Sequence, residues 1–291
     1  MCQAIFSQDV KIENQGKPSS EWKELPYLCC QAAGGEYSWA EHVCMAWFLF
    51  HNAARLMDNV EDNDPSNRHL PADLSLSAAT GLFFTAQYAL YKLSQQPDTK
   101  HAANDISQRF ISELMKMGEG QHQDIIQKSP NLTQYWQIAE RKSGSFFSLA
   151  AYCGARLATE DQRKLYGYEQ YGFHLGLLIQ LLDDLEDIYL WMNSPSSKTK
   201  LTACLPFVYT LEVVPEIEKT KIKEYLADSP TGYIEKDEMV SLLNQNGAVL
   251  YLFSEIERHS NLALAGLEKA EALSPASEKL QQIILELSHS Q

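Results

Sequence analysis

The chain has little positive charge for its size. Its 291 residues hold 24 Lys and Arg against 38 Asp and Glu, a formal net charge of −14. That balance argues against a surface that tracks nucleic-acid phosphates or an anionic membrane, so no nucleic-acid partner is expected. No apolar run reaches about 18 uninterrupted residues, which argues against a spanning helix and stable membrane insertion. The start, Met1 to Asp9, has neither the basic n-region nor the apolar stretch of a secretory leader. The six cysteines (2, 29, 30, 44, 153 and 204) lack metal-type spacing, so reduced thiols and a cytoplasmic location are expected. There is no fixed-period repeat, no low-complexity linker and no convincing alternating strand. Val208–Val214 is the best strand candidate, and it is short.

What the chain does have is helical periodicity from about residue 22 onward. The spacing predicts helices near 21–33, 38–62, 71–96, 101–128, 131–158 with a candidate break, 161–192, 200–227, 236–270 and 275–288. Breakers such as Gln96-Pro97, Ser129-Pro130, Ser194-Pro195 and Ser274-Pro275 separate them. Segments 38–57 and 171–192 are apolar on nearly all faces, the mark of helices buried in the centre of a bundle. The expectation is one all-α domain over 21–291, a single-domain bundle of about ten helices, after a loosely held N-terminus at 1–20.

Each of those two apolar helices ends in an acidic run. One reads Gln180-Leu-Leu-Asp183-Asp184-Leu-Glu-Asp187; the other, about 125 residues upstream, reads Asp58-Asn-Val-Glu61-Asp62. In both, aspartates at i and i+4 share a helix face roughly 6 Å apart. Burying aspartates there costs several kcal/mol per charge unless a cation compensates. Carboxylate oxygens in this arrangement suit Mg²⁺, which keeps several waters and bridges protein carboxylates to phosphates. An EF-hand over 62–73 fails, because Asn67 replaces the turn glycine and Asp73 the bidentate glutamate. A di-iron bundle fails as well, since Glu119-Gly-Gln-His122 stands alone where two such motifs are needed. Cationic partners for a phosphate would be Arg68, Arg141, Lys142, Lys198 and Lys200.

With these motifs in order, residues 20–227 resemble the trans-isoprenyl diphosphate synthases. That family carries two DDxxD motifs. The second is complete here (Asp183, Asp184, Asp187) and follows Gln180; the first keeps its outer pair, Asp58 and Asp62, around Asn59. Gly120-Gln121-His-Gln-Asp124 matches the family's GQxxD, Lys142-Ser143 its Lys-Thr, and Lys200 with Leu205-Pro206 its Lys-Thr-Leu-Pro. The family's Gly-Lys-x-x-Arg-Pro, which grips isopentenyl diphosphate, reads Glu-Trp-Lys-Glu-Leu-Pro at 21–26, leaving Lys23 and Pro26. Gly120-Gln-His-Gln-Asp-Ile, Lys-Ser-Gly-Ser at 142–145 and Leu74–Leu82 are similar, more loosely, to bacterial pheromone-prenylating members that alkylate a peptide tryptophan.

The resemblance implies an isoprenoid synthase class I fold around a central apolar cavity, a homodimer, and about three Mg²⁺ ions. Those ions would be held by Asp58 and Asp62 on one side and by Asp183, Asp184 and Asp187 on the other. It implies ionisation of an allylic prenyl diphosphate, with Lys142, Lys200 and Arg68 clamping the leaving group and Gln121 and Gln180 lining the substrate. Acceptors would be isopentenyl diphosphate, a peptide or a small molecule. Two alternatives are a class I terpene synthase and a non-catalytic partner subunit. On the stripe before Asp58 the small Ala54 precedes Phe50, which lies eight residues or about 12 Å down the helix, so a C15 to C20 tail is expected.

Overall fold

A computed structural model describes residues 23–61, 70–127, 129–193, 201–227 and 235–289. Among them no strand occurs. The helices are α1 (Leu25–Ala32), α2 (Glu41–Glu61), α3 (Ala72–Leu93), α4 (Lys100–Ile126), α5 (Leu132–Ala139), α6 (Ser145–Arg156) and α7 (Gln162–Asn193). They continue with α8 (Leu205–Val213), α9 (Glu216–Leu226), α10 (Lys236–Gln245), α11 (Ala248–Lys269) and α12 (Ala276–His289). None of the described helices is long and apolar enough to cross a membrane.

The all-α class agrees with the sequence reading, and the differences have local causes. Of Val208–Val214, all but the capping Val214 belong to α8, which Pro206 opens in its first turn, where proline's missing N–H is harmless. Expected helix 200–227 is divided at Val214-Pro215, and 236–270 at Asn246-Gly247, where Gly247 takes φ +73. The candidate break in 131–158 is real. It is a π-helical turn over Glu140–Gly144, between α6 and an α5 whose N-terminus carries a reciprocal Asn131–Gln134 capping box. Segment 38–57 is not buried all round, since Met45 stays 48% exposed.

Two compact units are interleaved along the chain. The first takes its described residues from 23–107, 150–168 and 267–289. Leu25, Val43, Trp47, Leu93 and Leu165 are fully buried in it, each contributing about 1.5–3 kcal/mol by leaving water. A side chain at Gly154 would meet the carbonyl oxygen of Pro26 at 2.3 Å, so α6 and α1 touch backbone to backbone. Gly34, at φ +94, ends α1, and the Leu273 N–H donates to the last carbonyl of that helix at 2.8 Å.

The second unit takes residues from 108–149 and 169–266. Its C-terminal part packs around Trp191, which stacks edge-on to Phe207 and donates its indole N–H to the Tyr225 hydroxyl at 3.0 Å. A buried imidazole pair belongs to the same unit. The Nδ1 atoms of His174 (α7) and His259 (α11) are 2.9 Å apart, and Arg258 approaches Nε2 of His259 at 2.9 Å. A neutral His259 that accepts from Arg258 and donates Nδ1–H to His174 satisfies this chain. Burial, and then the Arg258 charge, push His174 down to about 4 and His259 down to about 3.

The unfolded chain protonates these imidazoles near 6.5 while the folded one does not, so they remove stability as pH falls from about 6.5 toward 4 and 3. Between pH 7 and 5 the loss is roughly 2 kcal/mol per imidazole. Asp184, raised to about 7, has the opposite slope as pH falls from 7 toward 4. The histidine part is therefore read as a difference. The Tm drop from pH 7 to 5 should be smaller in His259→Gln than in the unsubstituted protein; equal drops would remove the pair from the account.

Candidate active site

The acidic run on α7 is divided by the packing of that helix. Leu177, Leu181, Asp184, Ile188 and Trp191 follow one another at spacings of three and four and form a single inward stripe, each at most 5% exposed. Asp184 thus occupies a core position. Asp183 is exposed and Asp187 half-buried. The sequence reading groups all three as metal ligands, and Asp184 does not stand with the other two.

Its carboxylate is already engaged by the protein. Oδ2 accepts from the Tyr135 hydroxyl at 2.8 Å and from the Leu205 N–H at 2.7 Å, and Oδ1 accepts from Gln180 Nε2 at 3.1 Å. The Cys204 thiol donates to the Asp184 backbone carbonyl at 3.3 Å. Burial raises Asp184 to about 7, with the three donors pulling the other way. Burial also holds the Tyr135 phenol well above its usual range, so it stays a donor. Gln180, expected to line the substrate, has both amide ends occupied, because its Oε1 accepts from Ser143 Oγ at 3.0 Å and its Nε2 donates to Asp184.

Ser143 belongs to the π-helical turn, and two glycines seat that turn. A side chain at Gly120 on α4 would come within 2.8 Å of Arg141 Cβ, and one at Gly176 on α7 within 2.2 Å of the Ser143 carbonyl oxygen. Lys142 lies between these contacts and pairs with Asp124 of α4. The segments Gly120–Asp124, Lys142-Ser143, Gln180–Asp187 and Leu205-Pro206, scattered over some 90 positions, thereby meet in one hydrogen-bonded layer of the second unit. The wide turn has a purpose in this layer. One extra residue lets Lys142 and Ser143 face α4 and α7 while both flanking helices continue.

In the first unit Asp58 sits half-buried in the last turn of α2. Phe50, two turns earlier, is buried with its ring 5.6 Å from that of Phe83 on α3, and Ala54 is half-buried between the two levels. Gln121 is half-buried on α4. Asp62, Arg68, Lys198 and Lys200 lie outside the described residues. Tyr135 and the Leu205 N–H were absent from the sequence reading. The phase of Asp184 within the apolar stripe was a usable signal that a buried donor must face it, though not which one.

Asp183 and Asp187 on α7 offer hard oxygens of the kind Mg²⁺ takes, and so, within the first unit, does Asp58. No group of three or more His, Cys, Asp or Glu side chains converges among the described residues. An ion that takes one or two carboxylates and completes its sphere with water and phosphate needs no fuller cage.

Residues 23–242 match the family model described as polyprenyl synthetase. Over 247 residues the chain is 23% identical to geranylgeranyl pyrophosphate synthase 2 of Zymoseptoria tritici, covering 82% of this chain and 74% of that one. Over 240 residues it is 23% identical to a tryptophan prenyltransferase of Bacillus subtilis, covering 79% and 75%. A geranylgeranyl pyrophosphate synthetase from Pyrococcus horikoshii superposes with a TM-score of 0.76 at 18% identity, over 92% of this chain and 85% of that one. That likeness shows the fold, in agreement with the isoprenoid-synthase architecture expected.

Proposed function

The chain belongs to the polyprenyl synthetase family, and we propose that it is a Mg²⁺-dependent prenyltransferase. It would ionise an allylic prenyl diphosphate and pass the prenyl group to an acceptor. One observation carries this reading: the helix that points Asp183 and Asp187 outward is hydrogen-bonded, through Gln180 and Ser143, to the turn that holds Lys142. The proposed metal ligands are Asp58 and Asp62 in the first motif and Asp183 and Asp187 in the second. Bound Mg²⁺ neutralises diphosphate oxygens and stabilises the charge that grows on the leaving group.

The chain's own residues do the rest. Lys142, held by Asp124, offers its ammonium to the diphosphate as the C–O bond breaks and the electron pair departs with oxygen. Lys200 and Arg68 are proposed to add to that clamp and Gln121 to line the substrate. The acceptor bonds to the freed allylic carbon and loses a proton to the departing diphosphate. The eroded segment at 21–26 favours an acceptor other than isopentenyl diphosphate, whether peptide or small molecule. It equally favours a second outcome, cyclisation to a terpene, in which the acceptor is a double bond of the same substrate.

Incubation with Mg²⁺ and geranyl, farnesyl or geranylgeranyl diphosphate, with and without isopentenyl diphosphate or a tryptophan peptide, separates these outcomes. Hydrocarbon from the allylic substrate alone means cyclisation, a longer diphosphate means elongation, and an alkylated peptide means acceptor prenylation. No diphosphate release in any mixture would sink the reading and leave a partner subunit.

The stripe Ala54–Phe50, with Phe83 against Phe50, is the proposed floor for the tail. Ala54→Phe is expected to shift preference by at least one five-carbon unit toward shorter substrates, read as kcat/KM across the three diphosphates; an unchanged ranking places the floor elsewhere. A homodimer is proposed as well. Phe84, Tyr88 and Tyr91 are exposed at i, i+4 and i+7 of α3, an apolar stripe that a second copy would cover. Sedimentation velocity should give a dimer, and Phe84→Glu should weaken it at least tenfold; a monomer before substitution would refute the assembly.

A further inference from the structure

Asp184 spends its side chain entirely inside the protein, although it lies between two aspartates proposed to face a metal. Of its three donors, Gln180 leads to Ser143 and the turn of Lys142, and the Leu205 N–H belongs to the first residue of α8. Tyr135, on the short capped helix α5, is the third. It lies 49 positions from Asp184 and seven before Lys142, on the far side of the π-helical turn. The turn is thus tied to α7 from both flanks, directly by Ser143 through Gln180 and indirectly by Tyr135 through Asp184. Both ties end on the same carboxylate.

We propose that Tyr135 is a positioning residue whose hydroxyl, through Asp184 and Gln180, sets the register between the Lys142 turn, the start of α8 and the outward Asp183 and Asp187. This deepens the prenyltransferase reading and rests on it for its effect on turnover. Without the hydroxyl, the Asp184 carboxylate keeps the Leu205 N–H and Gln180 Nε2 but loses the third contact that fixes its rotation, so its hold on both loosens and with it the aim of the Gln180 carbonyl at Ser143. Each tie contributes only modestly by itself. The consequence is loss of alignment across the layer, and near-attack geometry tolerates little misplacement.

The experiment uses Tyr135→Phe, Ser143→Ala and the pair, with Tyr152→Phe as control. The Tyr152 hydroxyl donates to Asp105 at 3.1 Å in the other unit. In steady-state diphosphate release, each of the two site variants is expected to lose 10- to 50-fold in kcat with KM for the prenyl diphosphate within threefold. The double variant should fall no more than threefold below the worse single, because both substitutions cut one chain. Deuterium uptake by the peptide that contains Leu205 should rise at least tenfold in rate in Tyr135→Phe and measurably in Ser143→Ala, with no change in Tyr152→Phe. Multiplicative losses in kcat, or unchanged uptake at Leu205, would overturn the proposal. A wild-type protein with no turnover would instead defeat the prenyltransferase reading, and the exchange arm would then decide the register proposal alone.

Discussion

Asp183→Ala is expected to lower diphosphate release at least about a hundredfold and to leave Tm within a degree or two. The two halves of that expectation come from one fact: Asp183 lies off the buried stripe of α7 and is exposed. It therefore supports no core packing, and a surface truncation of this kind changes stability by about 0.5 kcal/mol or less. What it would remove is an oxygen ligand next to the leaving group. Preorganised electrostatic stabilisation of that sort is typically worth about 10²–10³ in kcat. Raising Mg²⁺ should recover only part of the rate. Activity within tenfold of the parent, at matched Mg²⁺, would mean that Asp183 is not a ligand. Asp184→Ala makes the contrast, because it strips the partner from a buried phenol and a buried N–H and should cost about 2–4 kcal/mol.

The second large effect concerns a methyl group. Gly176→Ala places Cβ 2.2 Å from the Ser143 carbonyl oxygen and 2.6 Å from its carbon. Neither atom can rotate away, since both are backbone, so α7 and the π-helical turn must separate. Overpacking typically costs about 1–3 kcal/mol, and a backbone clash belongs at the upper end, a Tm loss of about 5–10 °C. The displaced atoms carry Ser143 and Lys142, so turnover should fall further than stability alone explains, by about a hundredfold at a temperature where the variant is fully folded. Calorimetry and diphosphate release on the same sample check both. A variant that keeps its Tm and its rate would show that the helices stand farther apart than this contact requires.

Much of this was readable before the fold was known, and the limits are physical. Helix positions followed from apolar spacing because tertiary packing reinforced it, and α7 from Gly172 to Leu181 has no exposed residue, in keeping with its composition. The acidic runs were legible as sites because i, i+4 carboxylates at the end of such a helix need compensation. The sequence reading did not separate Asp183 from Asp184. Neighbours on a helix differ by about 100°, and which of two aspartates turns inward depends on the phase of the whole stripe from Leu177 to Trp191. Tyr135 was out of reach for another reason. Its partner is 49 residues away, and no local pattern marks a tyrosine whose hydroxyl closes a tertiary hydrogen bond. Met45 shows the converse error, an apolar residue counted as core on a helix whose outer face stays exposed.

The turn at Glu140–Gly144 carries one consequence for the whole region. A single surplus residue in an otherwise helical stretch acts as a phase shift: everything before it is rotated by about 100° relative to what a continuous α-helix would give. Tyr135 and Ser143 can both bear on α7 only because of that offset. The length of this segment is accordingly constrained more tightly than its composition. Exchanging Glu140 for another residue should be mild, whereas deleting it would turn α5 out of phase with α6 and carry the Tyr135 hydroxyl away from Asp184 with every side chain still present.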